Sequence, residues 1–409
     1  MLKVETPEGV IEIVDKHFPS NKRMGSFNDE EISIISASGR VLAQDIVSAE
    51  DLPAFNRSTV DGYAVLASDT FGCSESIPAV LTLTGEVLTG SKAAEPVLPG
   101  TTVIVSTGGE IPPGADAVVM HEFTEDYGNG VIGINKPAAP GNNVIFKGDD
   151  VSGGQTILKA GKKLAPHDIG VLSALGFDKI DVRVKPVVGI ISTGDELVPV
   201  TEKPAHGQIR DINTPMLLTA TEKYGAKAEN YGIIKDDENA IRTAVISAVK
   251  SCDIILISGG SSAGTHDLTA RIIESEGEIL FHGIAMKPGK PTIFGIVNGK
   301  PVFGLPGNPV AAYIVTELFV RHLIANLTGT ELKRKTTKAI ITEAISSNTG
   351  RADYIPVSLK NDSTGTMTAR PVISKSGLIT SLTEADGYIN IKRDSEGIAK
   401  DTEVTVIYF

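Results

Sequence analysis

The spacing of hydrophobic residues changes four times along the chain and divides it into five segments. Residues 1–50 begin with apolar positions at helical spacing, whereas residues 51–150 alternate short β-rich runs with turns that contain Gly and Pro. Residues 151–182 return to a helix followed by a strand. Because this third segment is similar in type to the first, we expect the two to form one elongated arm. Residues 51–150 would then be inserted into the arm as a small β domain.

The rest of the chain predicts two further domains. Residues 183–330 alternate strands and helices in four βα units, which predicts a parallel sheet covered by helices on both faces. Residues 331–409 return to short strands and predict a C-terminal β-barrel-like domain. The pattern as a whole predicts a multidomain α/β plus β protein, with ligands at the carboxyl ends of the parallel strands.

Residues 252–267 combine a buried strand, a loop of small residues and the start of a helix. Glycine lets the backbone approach a ligand closely, and the N–H groups of such a loop and helix point at negative charge. The stretch therefore predicts an anion site. A tight strand-to-helix turn without a ligand is the alternative that this stretch alone leaves open.

Four other loops at predicted strand ends carry residues of functional types: 192–197, 208–213, 287–291 and 304–309. Glu196 and Asp267 are carboxylates suited to Mg²⁺, which takes one or two carboxylates together with substrate phosphates. Lys287 and Lys290, held close by prolines, can neutralise an oxyanion as point charges. Each loop alone fits a capping, solvated or exposed turn, but their joint position at strand ends favours a site.

Composition narrows the classes of function. The formal net charge of −12 argues against a broad nucleic-acid or anionic membrane surface, although a local patch can still hold a small anion. Two cysteines without metal-type spacing and a charged N-terminus predict a cytoplasmic protein without disulfides or a signal peptide. No apolar run approaches the roughly 18 residues that span a bilayer. The isolated histidines disfavour a zinc site, and neither a nucleophile elbow nor a P-loop is present.

Seven ordered motifs resemble those of the molybdopterin molybdenumtransferases, the family of MoeA and the E domain of gephyrin. They are STVDGYAV, STGGEIPPGADAVVM, KGDDV, STGDEL, SGGSSAGTHD, KPGKPTIFG and GLPGNPV. The resemblance implies a four-domain homodimer whose α/β domain is of the molybdopterin-binding type. It also implies insertion of molybdate into the dithiolene of adenylylated molybdopterin, with Mg²⁺-dependent release of AMP. Contacts with molybdopterin adenylyltransferase and with molybdoenzyme apoproteins follow from such a role.

The resemblance also assigns site residues. Asp61, Thr107, Glu196 and Asp267 match catalytic positions, with Glu196 and Asp267 near the metal and with Asp61 and Thr107 supplied by the partner subunit. The matched substrate-binding positions are Asp150, Asp236, Gly259, Gly260, Ser261, Gly264, Lys287, Lys290, Pro291, Pro306, Asn308, Arg351 and Ser376.

Three residues depart from the pattern of the family. Ala311 stands where a serine is usual, Asp149 replaces the commoner glutamate, and Ser262-Ala263 replaces Val-Ser. Loss of one neutral hydrogen-bond donor costs about 0.5–1.5 kcal/mol, so the change at Ala311 is expected to weaken or retune a site rather than abolish it. A non-catalytic or tungstate-using molybdopterin-binding paralogue is the alternative function.

Overall fold

The computed structural model describes residues 4–20, 28–259, 265–372 and 378–409, without the side chains of residues 265–267. The first helix, α1 (Pro7–His17), begins after Thr6, whose hydroxyl accepts the N–H of Gly9 at 3.0 Å. Two short strands follow, β1 (Asp29–Ser33) and β2 (Ile46–Val47). Val10 and Val14 of α1 are fully buried in the core of the later α/β unit, so this helix packs there and not on the arm.

The inserted β unit consists of eight short strands. Six of them form one sheet in the order β7-β4-β6-β5-β9-β8, and β3 pairs with β10. The strands are β3 (Arg57–Ser58), β4 (Gly62–Val65), β5 (Ala79–Val87), β6 (Thr101–Val105), β7 (Ala117–Met120), β8 (Thr124–Asp126), β9 (Val131–Ile134) and β10 (Val144–Ile145).

The chain then returns to the arm with β11 (Thr156–Leu158), α2 (Pro166–Ala174) and β12 (Lys179–Arg183). β12 pairs with β1 and β11 pairs with β2, both antiparallel. Leu42, Leu172 and Val182 fill the small core between them. The two flanks of the insertion therefore pack together, as the similarity of their sequence patterns predicts.

The α/β unit contains a six-stranded sheet in the order β16-β13-β17-β21-β20-β18. Its strands and their short neighbours are β13 (Val187–Thr193), β14 (Leu197–Val198), β15 (Ile209–Arg210), β16 (Lys227–Ile234), β17 (Ile254–Gly259), β18 (Gly277–His282), β19 (Met286–Lys287), β20 (Ile293–Val297) and β21 (Lys300–Leu305). The helices are α3 (Asn213–Lys223), α4 (Glu238–Ser251), α5 (Thr265–Glu276), α6 (Pro309–Val315) and α7 (Arg321–Thr328), with a π-helical turn at Thr316–Val320 between the last two.

The expectation of a wholly parallel sheet is wrong for β20, which runs against the other five strands and so forms two antiparallel pairs. β16, β13, β17 and β21 are parallel, but β20 runs antiparallel to β21 and β18 runs antiparallel to β20. The cause is the two-residue turn Asn298-Gly299, where φ is +49° and +77°. Positive φ at both central positions defines the type I′ hairpin, which joins neighbouring strands antiparallel.

Contrary to the expectation from the sequence, one run, Pro309–Thr328, has the length and composition of a membrane-spanning helix, but 72% of its apolar 18-residue window is buried inside the protein. It forms the largest core together with the strands. Phe294 and Phe303 stack there with ring centroids 4.3 Å apart. The helix ends at Gly329, which adopts a left-handed conformation (φ +67°) that glycine tolerates without steric cost.

The C-terminal unit is a closed, barrel-like sheet. β24, β25, β22, β28 and β26 pair in that order, and β26 pairs back with β24 to close the ring. β19 of the α/β unit adds to β24 in parallel, which fixes the two units to each other. The elements are β22 (Thr336–Ile341), β23 (Ile345–Ser346), β24 (Ala352–Asn361), β25 (Met367–Pro371), α8 (Thr380–Thr383), β26 (Gly387–Ile391), β27 (Gly397–Ile398) and β28 (Glu403–Tyr408).

Candidate functional site

The carboxyl ends of the four parallel strands meet along one edge of the α/β sheet. Thr193 at the end of β13 lies opposite both Ile234 of β16 and Gly259 of β17. β20 runs the other way, so its first residue, Ile293, lies opposite Gly304 near the end of β21. The loop that carries Lys290 and Pro291 therefore reaches the same edge. The sheet thus gathers loops that are separated in sequence, which is the usual place for ligands in such folds.

An acidic group forms at this edge from Asp195, Glu196 and Asp236. The N–H of Asp236 donates to Oδ1 of Asp195 at 3.3 Å. Gly194 has φ +156°, and a Cβ there would lie 2.8 Å from Oε2 of Glu196, so glycine makes room for that carboxylate. Burial raises the pKa of Asp236, and the negative charges of Asp195 and Glu196 raise it further.

The donor set of this acidic group suits a hard cation. Oδ1 of Asp236 is buried and has no hydrogen-bond partner among the described residues. Carboxylate oxygens are the ligands that Mg²⁺ prefers, and a cation would relieve the repulsion that raises this pKa. No three metal-ligating side chains of the described residues lie close enough to hold an ion by themselves. A complete site would need oxygen atoms from the substrate or from Asp267, whose side chain lies outside the described residues.

Replacing Asp236 with Asn is expected to stabilise the fold at neutral pH by a few tenths of a kcal/mol, because it removes one of three like charges. The folded-state pKa of Asp236 is raised, so its destabilising effect is absent at low pH and grows as the pH rises above the ordinary value of 3.8. Urea denaturation at several pH values measures the difference. Glu274→Gln, which removes one exposed negative charge outside the acidic group, is the control. Equal or lower stability of Asp236→Asn at pH 7 would contradict this account.

A buried network of polar side chains holds the loops of the site together. Oγ of Ser192 lies 2.7 Å from Oγ1 of Thr214, whose N–H donates to Oδ1 of Asp211 at 3.0 Å. Asn213 donates from Nδ2 to Oγ of Ser258 at 2.8 Å and to the carbonyl oxygen of Gly307 at 2.9 Å. The network therefore ties the loop after β21 to the end of β17.

The sequence reading marked the loop 208–213 as rich in functional types but gave its residues no role. The hydrophobic pattern gave no signal for these residues, because β15, the strand that precedes Asp211 and Asn213, is exposed at both of its positions. Oγ1 of Thr193 and Oδ1 of Asn213 are buried at this edge and have no hydrogen-bond partner among the described residues. Both atoms are therefore candidates for contact with a ligand.

A basic group forms where the α/β unit meets the C-terminal barrel. Lys287 of β19 lies opposite Asp353 of β24, and the adjacent N–H of Ala352 donates to the carbonyl oxygen of Ala285 at 2.9 Å. Lys287 and Lys290 are exposed. The hydroxyl of Thr292 donates to the carbonyl oxygen of Gly289 at 2.7 Å and holds the loop between the two lysines.

Arg351 belongs to this basic group and is held by Asp353, a buried carboxylate to which the sequence alone assigned no role. Asp353 is 1% exposed, its Oδ1 lies 3.4 Å from Nε of Arg351, and its Oδ2 accepts the hydroxyl of Ser347 at 3.0 Å. Nε of Arg351 has no hydrogen-bond partner among the described residues. Asp353 therefore positions Arg351 through Nε, and the Arg351 side chain, which is 35% exposed, can meet a ligand through its other nitrogen atoms.

The predicted residues of the inserted unit lie on a different sheet from Glu196. Oδ1 of Asp61 accepts the N–H of Thr107 at 2.8 Å, because the start of β4 and the end of β6 lie side by side. Asp150 is exposed in a turn, and its N–H donates to the carbonyl oxygen of Leu52 at 3.1 Å. The structure thus brings Asp61 and Thr107 together as a pair of their own.

The remaining predicted positions divide into three sets. Gly259 is the last residue of β17, and Pro306 directly follows the neighbouring strand β21. Asn308 is exposed and directly precedes α6. Ala311 is only 3% exposed, so the hydroxyl that the family usually has there would be buried in the first turn of α6. Outside the described residues lie Gly260, Ser261, Gly264, Ser376 and the side chain of Asp267.

A cavity of about 640 Å³ opens beside the acidic group, a volume within the usual range for small-molecule sites. Its lining includes Gly194, Asp195, Asp211, Thr214 and Lys235. The sheet edge therefore combines space for an organic ligand with carboxylates on one side and cationic loops near the barrel.

Sequence models of three domains match the chain in succession. Residues 7–176 match "MoeA N-terminal region (domain I and II)", residues 189–326 match "Probable molybdopterin binding domain", and residues 338–409 match "MoeA C-terminal region (domain IV)". The fold and the sheet edge thus define a multidomain protein built around an α/β domain of the molybdopterin-binding type, and the predicted fold class is confirmed.

Full-length relatives agree with this assignment. A molybdopterin molybdenumtransferase of Bacillus subtilis (strain 168) is 32% identical, over 100% of this chain and 95% of its own length. A Methanocaldococcus jannaschii protein named for molybdopterin biosynthesis is 35% identical over 97% of this chain and 95% of its own. The crystal structure of the MoeA protein from Pyrococcus horikoshii OT3 matches with a TM-score of 0.86, 36% identity and 100% coverage of both chains. The chain belongs to the MoeA family.

Proposed function

We propose that this chain inserts molybdate into the dithiolene of adenylylated molybdopterin and releases AMP, as a transferase of molybdenum cofactor biosynthesis. The observation that carries the proposal is the pairing of an acidic group with a basic group at one edge of the α/β sheet. An adenylylated substrate brings phosphates that need a cation, and molybdate brings an oxyanion that needs positive charge. The names of the curated relatives support the same reaction class.

The acidic group would hold the metal. Glu196 and Asp267 would be its ligands, with Asp236 close by, and Mg²⁺ would neutralise the charge of the adenylyl phosphates during cleavage. Gly259, the residues up to Gly264, Pro306 and Asn308 would form the wall against which the phosphate groups lie. Burial and the negative charges of Asp195 and Glu196 raise the pKa of Asp236, and this supports the role because a bound cation would offset both effects.

The basic group would hold molybdate. Lys287 and Lys290 offer compact ammonium charges beside the rigid prolines, Pro291 among them, and Arg351 offers a guanidinium that Asp353 keeps in place. Together with Ser376 they would bring the oxyanion to the dithiolene sulfurs. The dithiolene belongs to the pterin, so the two cysteines of this chain are not needed, and both are free and buried.

The inserted unit would complete the site of a second copy of the chain. Asp61 and Thr107 lie at the edge of a separate sheet and Asp150 lies in an exposed turn, and a homodimer would bring them to the partner's sheet edge. Mixing Asp61→Asn with Glu196→Gln tests this arrangement, because mixed dimers then hold one intact site. We expect activity to return on mixing. If the mixture stays as inactive as each variant alone, both groups act within one chain.

Reconstitution tests the reaction itself. The purified chain is incubated with adenylylated molybdopterin, molybdate and Mg²⁺, and the product is added to a molybdoenzyme apoprotein that gains activity only from complete cofactor. We expect activity that depends on both molybdate and Mg²⁺. Tight pterin binding without active product would instead support a non-catalytic binding protein. Product formed from tungstate in preference to molybdate would support the tungstate-using alternative.

Asp353→Asn tests the positioning of Arg351. The substitution keeps the shape of the side chain and removes the charge that holds the guanidinium, so we expect the KM for molybdate to rise roughly tenfold. The kcat should change by less than about twofold, because Asp353 touches neither the adenylyl group nor the metal. Asp394→Asn, an exposed carboxylate of the same unit, is the matched control. A fall in kcat without a change in KM would exclude this role.

A further inference from the structure

A second cavity lies where the arm, the α/β unit and the C-terminal barrel meet, and it has a volume of about 1000 Å³. Seven lysines and three arginines line it, against a single carboxylate, Glu331. The chain as a whole carries a net charge of −12, so this concentration of positive charge runs against the overall balance. None of these residues belongs to the sheet edge described above.

One cation of this lining, Arg321, is held in place by neighbouring side chains. Arg321 forms an ion pair with Glu317, which is fully buried in the π-helical turn. The guanidinium of Arg321 also lies 5.5 Å from the ring centroid of Tyr224, and its side chain is 21% exposed. A buried carboxylate and an aromatic ring thus hold a partly exposed cation in the cavity wall, which is the arrangement of a prepared anion contact.

Arg40, Arg183, Lys162 and Lys333 also pair with carboxylates, but other lysines of the cavity have none among the described residues to neutralise them. Lys159, Lys163, Lys185 and Lys223 form no ion pair within the part of the chain that the structure describes. Partial burial lowers the pKa of Lys163, and the positive charges of Arg321 and Lys185 lower it further. The lysines therefore repel one another, and an anion between them would remove that cost.

We propose that this cavity binds a small, multiply charged anion of the phosphate class. Several ammonium groups and one held guanidinium suit the clustered oxygens of a pyrophosphate or nucleotide better than a single carboxylate. The volume of the cavity lies at the upper end of the range for small-molecule sites, so either pyrophosphate or a nucleotide fits inside it. The site is independent of the reaction proposed above.

Lysine acylation of the native full chain, mapped by mass spectrometry, tests the proposal directly. The reagent attacks neutral amines, so in low salt without phosphate Lys163 should react faster than exposed Lys360 and Lys400 of the barrel. Inorganic pyrophosphate or metal-free ATP, at about ten times its Kd, should reduce labelling of Lys163 and Lys185 about tenfold. Labelling of Lys360 and Lys400 should stay unchanged. Tighter protection by ATP identifies a nucleotide site, and equal protection identifies a site for the phosphate groups alone.

Paired variants supply the second measurement. Lys163→Ala/Lys185→Ala should weaken pyrophosphate binding roughly tenfold, whereas Lys360→Ala/Lys400→Ala removes the same charge elsewhere and should not. Lys287→Ala should leave the protection of Lys163 intact, which separates this cavity from the sheet-edge site. The proposal is overturned if neither anion protects the lysines or if both double variants bind equally. It is also overturned if, without anion, Lys163 becomes more reactive on dilution, because a second copy then covers the cavity.

Discussion

Replacing Glu196 with Gln is expected to lower the rate of AMP release roughly 100-fold or more, a typical loss when a preorganised electrostatic contact to a transition state is removed. Glutamine keeps the size of the side chain and loses the charge that would help to hold Mg²⁺. Glu196 also contributes to the charge that raises the pKa of Asp236. The fold should therefore remain intact, and stability should not fall.

The matched control for this substitution is Glu202→Gln, because Glu202 is exposed and lies in the same loop region. Its rate of AMP release should stay within about twofold of the unmodified chain. The rates are measured at saturating Mg²⁺ and again over a range of Mg²⁺ concentrations. If Glu196→Gln retains the unmodified rate at every concentration, Glu196 neither holds the metal nor contacts the phosphates.

Replacing Phe303 with Ala is expected to cost about 3–5 kcal/mol of stability, which is a large fraction of the stability of a typical domain. Phe303 is fully buried in the centre of the sheet, where it stacks on Phe294, and it precedes the loop that carries Pro306 and Asn308. The cavity left behind cannot collapse easily between paired strands. The change should therefore loosen both the α/β core and the site edge.

Hydrogen–deuterium exchange of the amides in β17 and β21 measures this loss, because the chain has several units and need not unfold in one step. Exchange in the C-terminal barrel serves as the internal reference. Phe71→Ala is the matched control, since the side chain of Phe71 is 63% exposed and its loss should cost no more than about 0.5 kcal/mol. Equal exchange in the two variants would contradict the packing described for this sheet.

The fold class could be predicted from the sequence because helices and strands each impose their own spacing on the apolar residues. The alternation of strands and helices led directly to four parallel strands whose ends carry the loops of the site. The strands β18 and β20 were not predicted, although Asn298-Gly299 is a strong hairpin signal, because only β21 of that hairpin fits the series of βα units. The Asn298-Gly299 turn alone sets the antiparallel direction of β20, and the alternation of strands and helices carries no information about it.

Two features of the structure could not be predicted, because they depend on which residues the folded chain buries and brings together. Asp353 differs from any other carboxylate only because the barrel buries it beside Arg351 and Ser347. The basic cavity draws its charges from segments near residues 40, 160, 184, 223, 321 and 334. The runs 159–163 and 333–335 are basic in the sequence, but nothing there shows that they meet. Both features arise only when the chain folds and brings these residues together.

The measurement that tests the proposed reaction most directly counts AMP and molybdenum in the same incubation. Adenylylated molybdopterin, molybdate and Mg²⁺ are mixed with the chain, the pterin product is isolated, and its molybdenum is compared with the AMP released. The account predicts equimolar amounts of the two, both reduced together in Glu196→Gln. AMP released without molybdenum in the product, or molybdenum incorporated without AMP, would contradict it.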